Sequence, residues 1–251
     1  MSERFSRTAR LLGVAKMVRL QAARVAVFGI GGVGSFVAEG LARAGIGFFR
    51  LVDGDDIDVT NINRQIHALT GTVGQNKAEA MKARIFDINP EAEVEAVARF
   101  YRGEAAEQLL RGGFDYVVDA VDMVTAKLSL AEECQRRGLP LISSMGAGNK
   151  LDPTQFQTAD IYDTRGCPLA KVMRRELRAR GVPRLKVVYS PEPPVRLPDG
   201  RAGAESGASW EKGNGRRTPG SVSFGPSVAG LIIAGEVVRD LTTDGGRKVE
   251  G

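Results

Sequence analysis

The chain has 251 residues, a length that suits one large domain or two small ones. Its hydrophobic share of 43% and charged share of 26% are those of a globular protein, which excludes a wholly disordered chain and a collagen-like repeat. The formal charge is +5, and no apolar run approaches the ~20 residues that span a bilayer.

The opening stretch, MSERFSRTAR, has no apolar core and no small-residue cleavage site, so no secretory leader is expected. Residues 24–29 (RVAVFG) form a Val-rich apolar run ended by Gly, the pattern of a buried strand. A helix is predicted over 33–44, stopping near Gly45, then a strand over 48–52. Ala78, Met81, Ile85 and Ile88 fall at helical spacing within 75–89, ahead of Pro90. Further strands are predicted at 94–97, 116–120 (YVVDA) and 140–144 (PLISS), with helices at 105–110 and 126–137. This alternation predicts an α/β fold over 22–160: a doubly wound, Rossmann-like, mostly parallel sheet with helices on both faces.

Residues 161–251 read as a C-terminal extension. Leu169, Val172, Met173 and Leu177 mark one face of a helix, and Lys171, Arg174, Arg175 and Arg178 mark a basic face. A short strand is predicted at 187–189. The Pro- and Gly-rich stretch 191–220 reads as a mobile loop. A closing helix over 227–241 carries Val228, Leu231, Ile232 and Val238. From residue 165 to 217 there are 13 basic and 5 acidic residues, a local +8, so the rest of the chain is net −3. Clustered positive charge fits an anionic partner such as RNA; on charge alone, a solvated helix and loop is the plainer reading.

Gly29, Gly31, Gly32 and Gly34 carry the glycine signature GIGGVG between a predicted strand and a predicted helix. Such glycines let backbone approach phosphate, and the helix N-terminus favours negative charge. Asp53, at the end of the second strand, suits the ribose hydroxyls, with Asp55 and Asp56 ranked behind it. On these features alone a nicotinamide dehydrogenase is the default. The segment DGDDIDVTNINRQ and the following Lys77 change that reading. A hydride-transfer site needs none of Asn61, Arg64 and Lys77, whereas a nucleoside triphosphate needs fixed positive charge along its phosphates. Asp122, beyond the fourth strand, suits magnesium held against a triphosphate; Asp119 is expected to be structural.

The runs GIGGVGS, VDGDDIDVTNINRQ, VGQNK and DAVD resemble the adenylating domain of ubiquitin-activating-like (ThiF-type) enzymes over about residues 4–160. The resemblance implies that Asp53 holds ribose, that Asn61, Arg64 and Lys77 contact ATP phosphates, and that Asp122 coordinates Mg2+. It also implies that residues 1–22, with RFSRTARLLG, form an opening helix that crosses to a dimer partner, that Arg7 reaches the partner subunit's ATP, and hence a homodimer with composite sites. The four zinc cysteines of the sulfur-carrier branch are absent, and its DNxxxR reads DMVTAK, with Met123 and Lys127. The stretches SSMGAGNKLDPTQ, CPLAKVMRRELR and PGSVSFGPSVAGLI instead resemble the branch whose members dehydrate threonylcarbamoyladenosine in tRNA, extending the match to about residue 240. That branch implies an ATP-dependent cyclisation through an acyl-adenylate, in the cytoplasm. The alternative is an adenylyltransferase acting on the C-terminal glycine of a small carrier protein.

On this reading Lys171, Arg174, Arg175 and Arg178, with Arg216 and Arg217, would grip tRNA phosphates, and Trp210 would stack on a base. Cys134 and Cys167 form no CxxC pair and read as packing residues, although a thiol at Cys167 invites comparison with thioester chemistry. His67, the single histidine, reads as structural rather than as a general base.

Overall fold

The computed structural model describes residues 3–101, 106–195 and 219–243. Among these, seven strands form one sheet: β1 (Arg24–Phe28), β2 (Phe48–Val52), β3 (Glu93–Val97), β4 (Tyr116–Asp119), β5 (Leu141–Ser144), β6 (Gln157–Asp160) and β7 (Lys186–Tyr189). Their order is β3-β2-β1-β4-β5-β7-β6, and every pairing is parallel except that of β6 with β7. The doubly wound, mostly parallel sheet is as expected. The antiparallel edge strand β6 was not, because QTAD carries neither a β-branched run nor an apolar one. The boundary expected at 160 also divides a continuous sheet, since β7 inserts between β5 and β6.

Alternating side chains of β1 serve two cores. Val25 and Val27 face α3 (Gly34–Ala44), α4 (Lys77–Ile88) and α8 (Phe224–Thr242); Ala26 and Phe28 face the other layer, with α5 (Ala106–Leu109) and α6 (Val124–Arg137). A third apolar cluster joins α6 to α7 (Pro168–Ala179) through Leu128, Ala131, Met173 and Leu177. The N-terminal segment is not one helix. A 3-10 turn (Glu3–Phe5) leads into α1 (Ser6–Leu12), and Gly13, at φ 87°, separates it from α2 (Val14–Ala22). Helix α8 starts earlier than expected because Pro226 falls in its first turn, where a missing N–H costs nothing.

Two residues buried at the end of β4 tie the layers together. Lys127, on α6, places its ammonium 3.1 Å from Asp119 Oδ2 and donates to Ser144 O at 2.7 Å. Asp119 also accepts from Ser143 Oγ at 2.5 Å. Asp119 is therefore structural, as expected, and Lys127 is its partner. The pair spans the β4–α6 connection that carries Asp122. Removing one charge would strand the other, so Lys127→Met is expected to cost about 3–5 kcal/mol, measured by urea unfolding. The double variant Lys127→Met with Asp119→Leu should recover most of that loss.

Candidate functional site

Because β1, β2, β4 and β5 run parallel, the turns that follow them leave from one edge of the sheet. Strand order reverses there: β2 and β3 build outward from one side of β1, and β4 and β5 from the other. The crevice between the turns after β1 and β4 is where open α/β sheets bind ligands.

The glycine turn fills that crevice with backbone. Gly29 has φ 85°, and a Cβ there would lie 2.6 Å from Ala120 O; a Cβ on Gly34 would lie 1.7 Å from Gly29 O. Any side chain at either position would push the β1 turn off the β4 turn or off α3. The remaining glycines face other groups of the site. A Cβ on Gly31 would be 3.9 Å from Gln65 Nε2, and one on Gly32 would be 3.5 Å from Arg64 Cγ and 3.0 Å from Pro226 Cβ.

Asp53 is bound into this turn. Its Oδ2 accepts from Ile30 N at 2.6 Å and its Oδ1 from Asp55 N at 2.9 Å. Burial raises its pKa, while those two N–H groups and the nearby Lys77 oppose the rise. A carboxylate with two further acceptor positions suits paired hydroxyls. Asp55 is placed differently from the expectation of a cofactor ligand: its carboxylate lies 2.9 Å from Lys77 Nζ. Lys77 opens α4, where Asn76 caps the helix by accepting from Ala78 N and Glu79 N. Asp56 is exposed and pairs through its backbone with Asn76.

Asn61 is buried, and its Oδ1 accepts from Asp58 N at 3.1 Å, closing a capping box around the turn Val59–Asn61. Three residues on, Arg64 Nη1 donates to Thr60 O at 2.8 Å and to Asn63 Oδ1 at 2.9 Å. No described carboxylate pairs with Arg64, and burial lowers its pKa. A half-buried guanidinium beside a glycine turn, with no described carboxylate on it, suits an anion. Gln65 also belongs here: it is buried, and its Oε1 has no hydrogen-bond partner. The NRQ motif displayed it, but nothing in residue type alone distinguishes Gln65 from a core amide.

Asp122 is exposed beyond β4, and no described side chain bonds to it. Arg7 is exposed on α1. Phe5, just ahead of α1, packs on Gly45. Gly45 precedes β2, so Arg7 stands at the edge opposite its own glycine turn. The basic face of α7 holds a hollow of about 450 Å³ lined by Lys171, Arg174, Arg175 and Arg178. These four are not equivalent. Arg174 donates to Thr164 O at 2.8 Å, Arg175 pairs with Glu176, and Arg178 lies 5.0 Å from the Tyr162 ring centre. Val172, expected on the apolar face, is exposed; Ala170, Met173 and Leu177 form the buried stripe. Trp210, Arg216 and Arg217 lie outside the described residues, as does most of the expected loop 191–220.

Cys134 and Cys167 are free and buried in separate apolar clusters, as packing residues are. Burial pushes the Cys134 thiol up to about 12. His67 is also structural: its Nε2 lies 2.8 Å from Ile30 O, so that nitrogen donates and Nδ1 is left buried without a partner. Burial, with Lys77 and Arg84 nearby, lowers its pKa from 6.5 to about 4. A histidine held neutral in the fold and protonated in the unfolded chain makes stability fall as pH drops from 6.5 toward about 4. The expected contribution to the slope is at most about 1.4 kcal/mol per pH unit. Urea unfolding across that range should show it, and His67→Gln should remove it.

The ThiF family model matches residues 5–251. A Bacillus subtilis tRNA threonylcarbamoyladenosine dehydratase is 49% identical over 245 residues, covering 97% of this chain and 96% of that one. The crystal structure of the Escherichia coli tRNA N6-threonylcarbamoyladenosine dehydratase in complex with ATP has 36% identity and a TM-score of 0.83, covering 95% of this chain and 93% of that one. The same E. coli enzyme in complex with AMP gives a TM-score of 0.86 at 36% identity, over 98% and 96% of the two chains.

Proposed function

The chain belongs to the ThiF family, and on that premise we propose that it dehydrates threonylcarbamoyladenosine in tRNA at the expense of ATP. The observation that carries the reading is the close approach of the half-buried Arg64 to the Gly29–Gly34 turn at the sheet's switch point. That approach sits in a chain alike almost end to end to relatives that act on this nucleoside.

The chemistry follows from the substrate. The threonylcarbamoyl group ends in a carboxylate, which is a poor electrophile because oxide is a poor leaving group. Attack of that carboxylate on the α-phosphorus of ATP forms an acyl-adenylate and releases pyrophosphate. A nitrogen or oxygen of the same group then attacks the acyl carbon, a proton is lost, and AMP departs with its electron pair. The sum is ring closure with loss of one water, and ATP becomes AMP and pyrophosphate.

The side chains act by position and charge. The glycine turn and the α3 N-terminus would seat phosphate, Asp53 would take the ribose, and Asn61, Arg64 and Lys77 would face the triphosphate. Lys77 reaches it only by sharing or leaving Asp55, which makes Asp55 a positioning residue for that ammonium. Asp122 would hold Mg2+, which supplies charge neutralisation to the phosphates; an unpaired carboxylate suits an ion that needs only one or two of them. Arg7 would complete the site of a second copy in a homodimer, which its placement on α1, beside Phe5 and Gly45, supports. The basic face of α7 would meet tRNA phosphates, chiefly through Lys171, Arg175 and Arg178, because Arg174 is committed to Thr164. Among the described residues no helix is long and apolar enough to cross a membrane, and a cytoplasmic setting fits a tRNA substrate.

Protein, ATP, Mg2+ and tRNA carrying threonylcarbamoyladenosine should yield a nucleoside lighter by one water, seen by mass spectrometry after gentle digestion. Arg64→Ala should lower turnover by roughly 10²–10³. No mass change with competent tRNA would withdraw the substrate assignment and favour the carrier-protein alternative. For the tRNA face, Lys171→Glu with Arg175→Glu should weaken binding and flatten its dependence on salt, by roughly 0.7–0.9 in log–log slope per lost phosphate contact. Binding titrations that do not distinguish this variant from wild type would remove α7 from the interface.

A further inference from the structure

Asn149 stands apart in the turn after β5. Among the described residues it is the only one other than glycine with positive φ, at 56°. Asn tolerates that conformation better than most residue types. The backbone twist aims three hydrogen bonds at two distant segments. Asn149 N donates to Gly220 O at 2.8 Å, its Oδ1 accepts from Gly220 N at 2.6 Å, and its carbonyl accepts from Val195 N at 2.8 Å. The preceding Gly148 lets the segment lie close, since a Cβ there would be 2.9 Å from Pro219 Cβ.

The turn carrying Asn149 is itself braced. The next residue, Lys150, is buried, and burial lowers its pKa. Its ammonium donates to the carbonyls of Ser190 and Glu192. The Glu192 carboxylate returns the contact, accepting from Leu151 N at 3.0 Å and Asp152 N at 3.2 Å. The two stretches therefore hold each other, and Asn149 is presented from a fixed base.

From Gly220 the contacts lead to the nucleotide site. Asn63 Nδ2 donates to Ser221 O at 3.0 Å, and Asn63 Oδ1 accepts from Arg64 Nη1 at 2.9 Å. Five residues beyond Ser221, Pro226 abuts the glycine turn at Gly32. The strip 219–226 thus forms a wall of the crevice, bonded to Asn149 at one end and packed on Gly32 at the other.

We propose that Asn149 is a positioning residue for ATP, acting through Gly220, Ser221 and Asn63 to set the guanidinium of Arg64. The proposal rests on the reading of Arg64 as a phosphate contact. Asn149 touches no reacting atom. Its carboxamide and left-handed backbone hold the wall in register, and the wall holds Asn63, which limits where Arg64 can lie.

The test is steady-state kinetics on the full chain with ATP and modified tRNA varied separately. Asn149→Gly keeps the backbone conformation and removes the Oδ1 acceptor. It is expected to raise KM for ATP about threefold to tenfold, the scale of one lost hydrogen bond, with KM for tRNA and the melting temperature near wild type. Asn149→Asp keeps the acceptor and should restore KM for ATP. Asn63→Ala, which breaks the link between Ser221 and Arg64, should raise KM for ATP likewise and serves if Asn149→Gly is unstable. In an Arg64→Ala background, Asn149→Gly should add no further loss. A rise in both KM values alike, or an undiminished effect in the Arg64→Ala background, would overturn the proposal. An unchanged KM for ATP in Asn149→Gly beside a raised one in Arg64→Ala overturns it while leaving the Arg64 reading intact. An unchanged KM for ATP in Arg64→Ala overturns the proposal, and if turnover is unchanged as well it removes the Arg64 reading too.

Discussion

The site depends on the parallel direction of β1, β2 and β4. That direction sends the Gly29–Gly34 turn, the Asp53–Asp56 turn and the Asp122 turn out of the same edge. At this edge the chain changes side, so no crossover covers the crevice. The backbone packing is too close for side chains: Gly29 meets Ala120 and Gly34 meets Gly29. Side chains are thus sterically excluded from the turn, its backbone lies bare, and the α3 N-terminus beside it has a polarity that favours phosphate.

Buried polar pairs hold the turns in place around the crevice. Lys127 and Asp119 fix the β4–α6 connection, Asp53 bonds Ile30 N across to the β1 turn, and His67 holds Ile30 O. Each of these groups is expensive to bury alone, and each is matched by a partner. Arg64 and Gln65 differ: among the described residues the first has no carboxylate partner, and the second has an Oε1 without a hydrogen-bond partner. His67 Nδ1 is left without one inside the frame, whereas Arg64 and Gln65 border the glycine turn, where a ligand would complete them.

The same division explains the two charged regions. Lys77 and Asp55 neutralise each other at the mouth of the site, which keeps a cation on hand at low cost. On α7, Arg174 is held by Thr164 and the charge of Arg175 is shared with neighbouring Glu176, so less positive charge is free to face a partner than a count of residues suggests. The overall charge of the chain says little about which cations are available. Local partners decide it.

Much of the fold was legible in the residue order. Strand and helix periods differ, so the alternation from 24 to 144 announced a parallel sheet, and GIGGVG, NINRQ and Lys77 pointed to the part of the chain that the fold gathers at one edge of that sheet. Asp119 and His67 were recognisable as structural because a strand interior and a lone imidazole offer little else. Other features were hidden. The strand β6 depends on pairing with β7, and QTAD has no pattern of its own. Gly13 divides the N-terminal helix through a backbone angle that composition does not reveal. The split of duties among Arg174, Arg175 and Arg178, the unmatched Oε1 of Gln65, and the link from Asn149 to Asn63 through Gly220 and Ser221 arise between segments up to 158 residues apart. Local order determines period, capping and turn chemistry, since those act over a few residues. Which polar groups are left without a partner is decided only when the whole chain has closed around them.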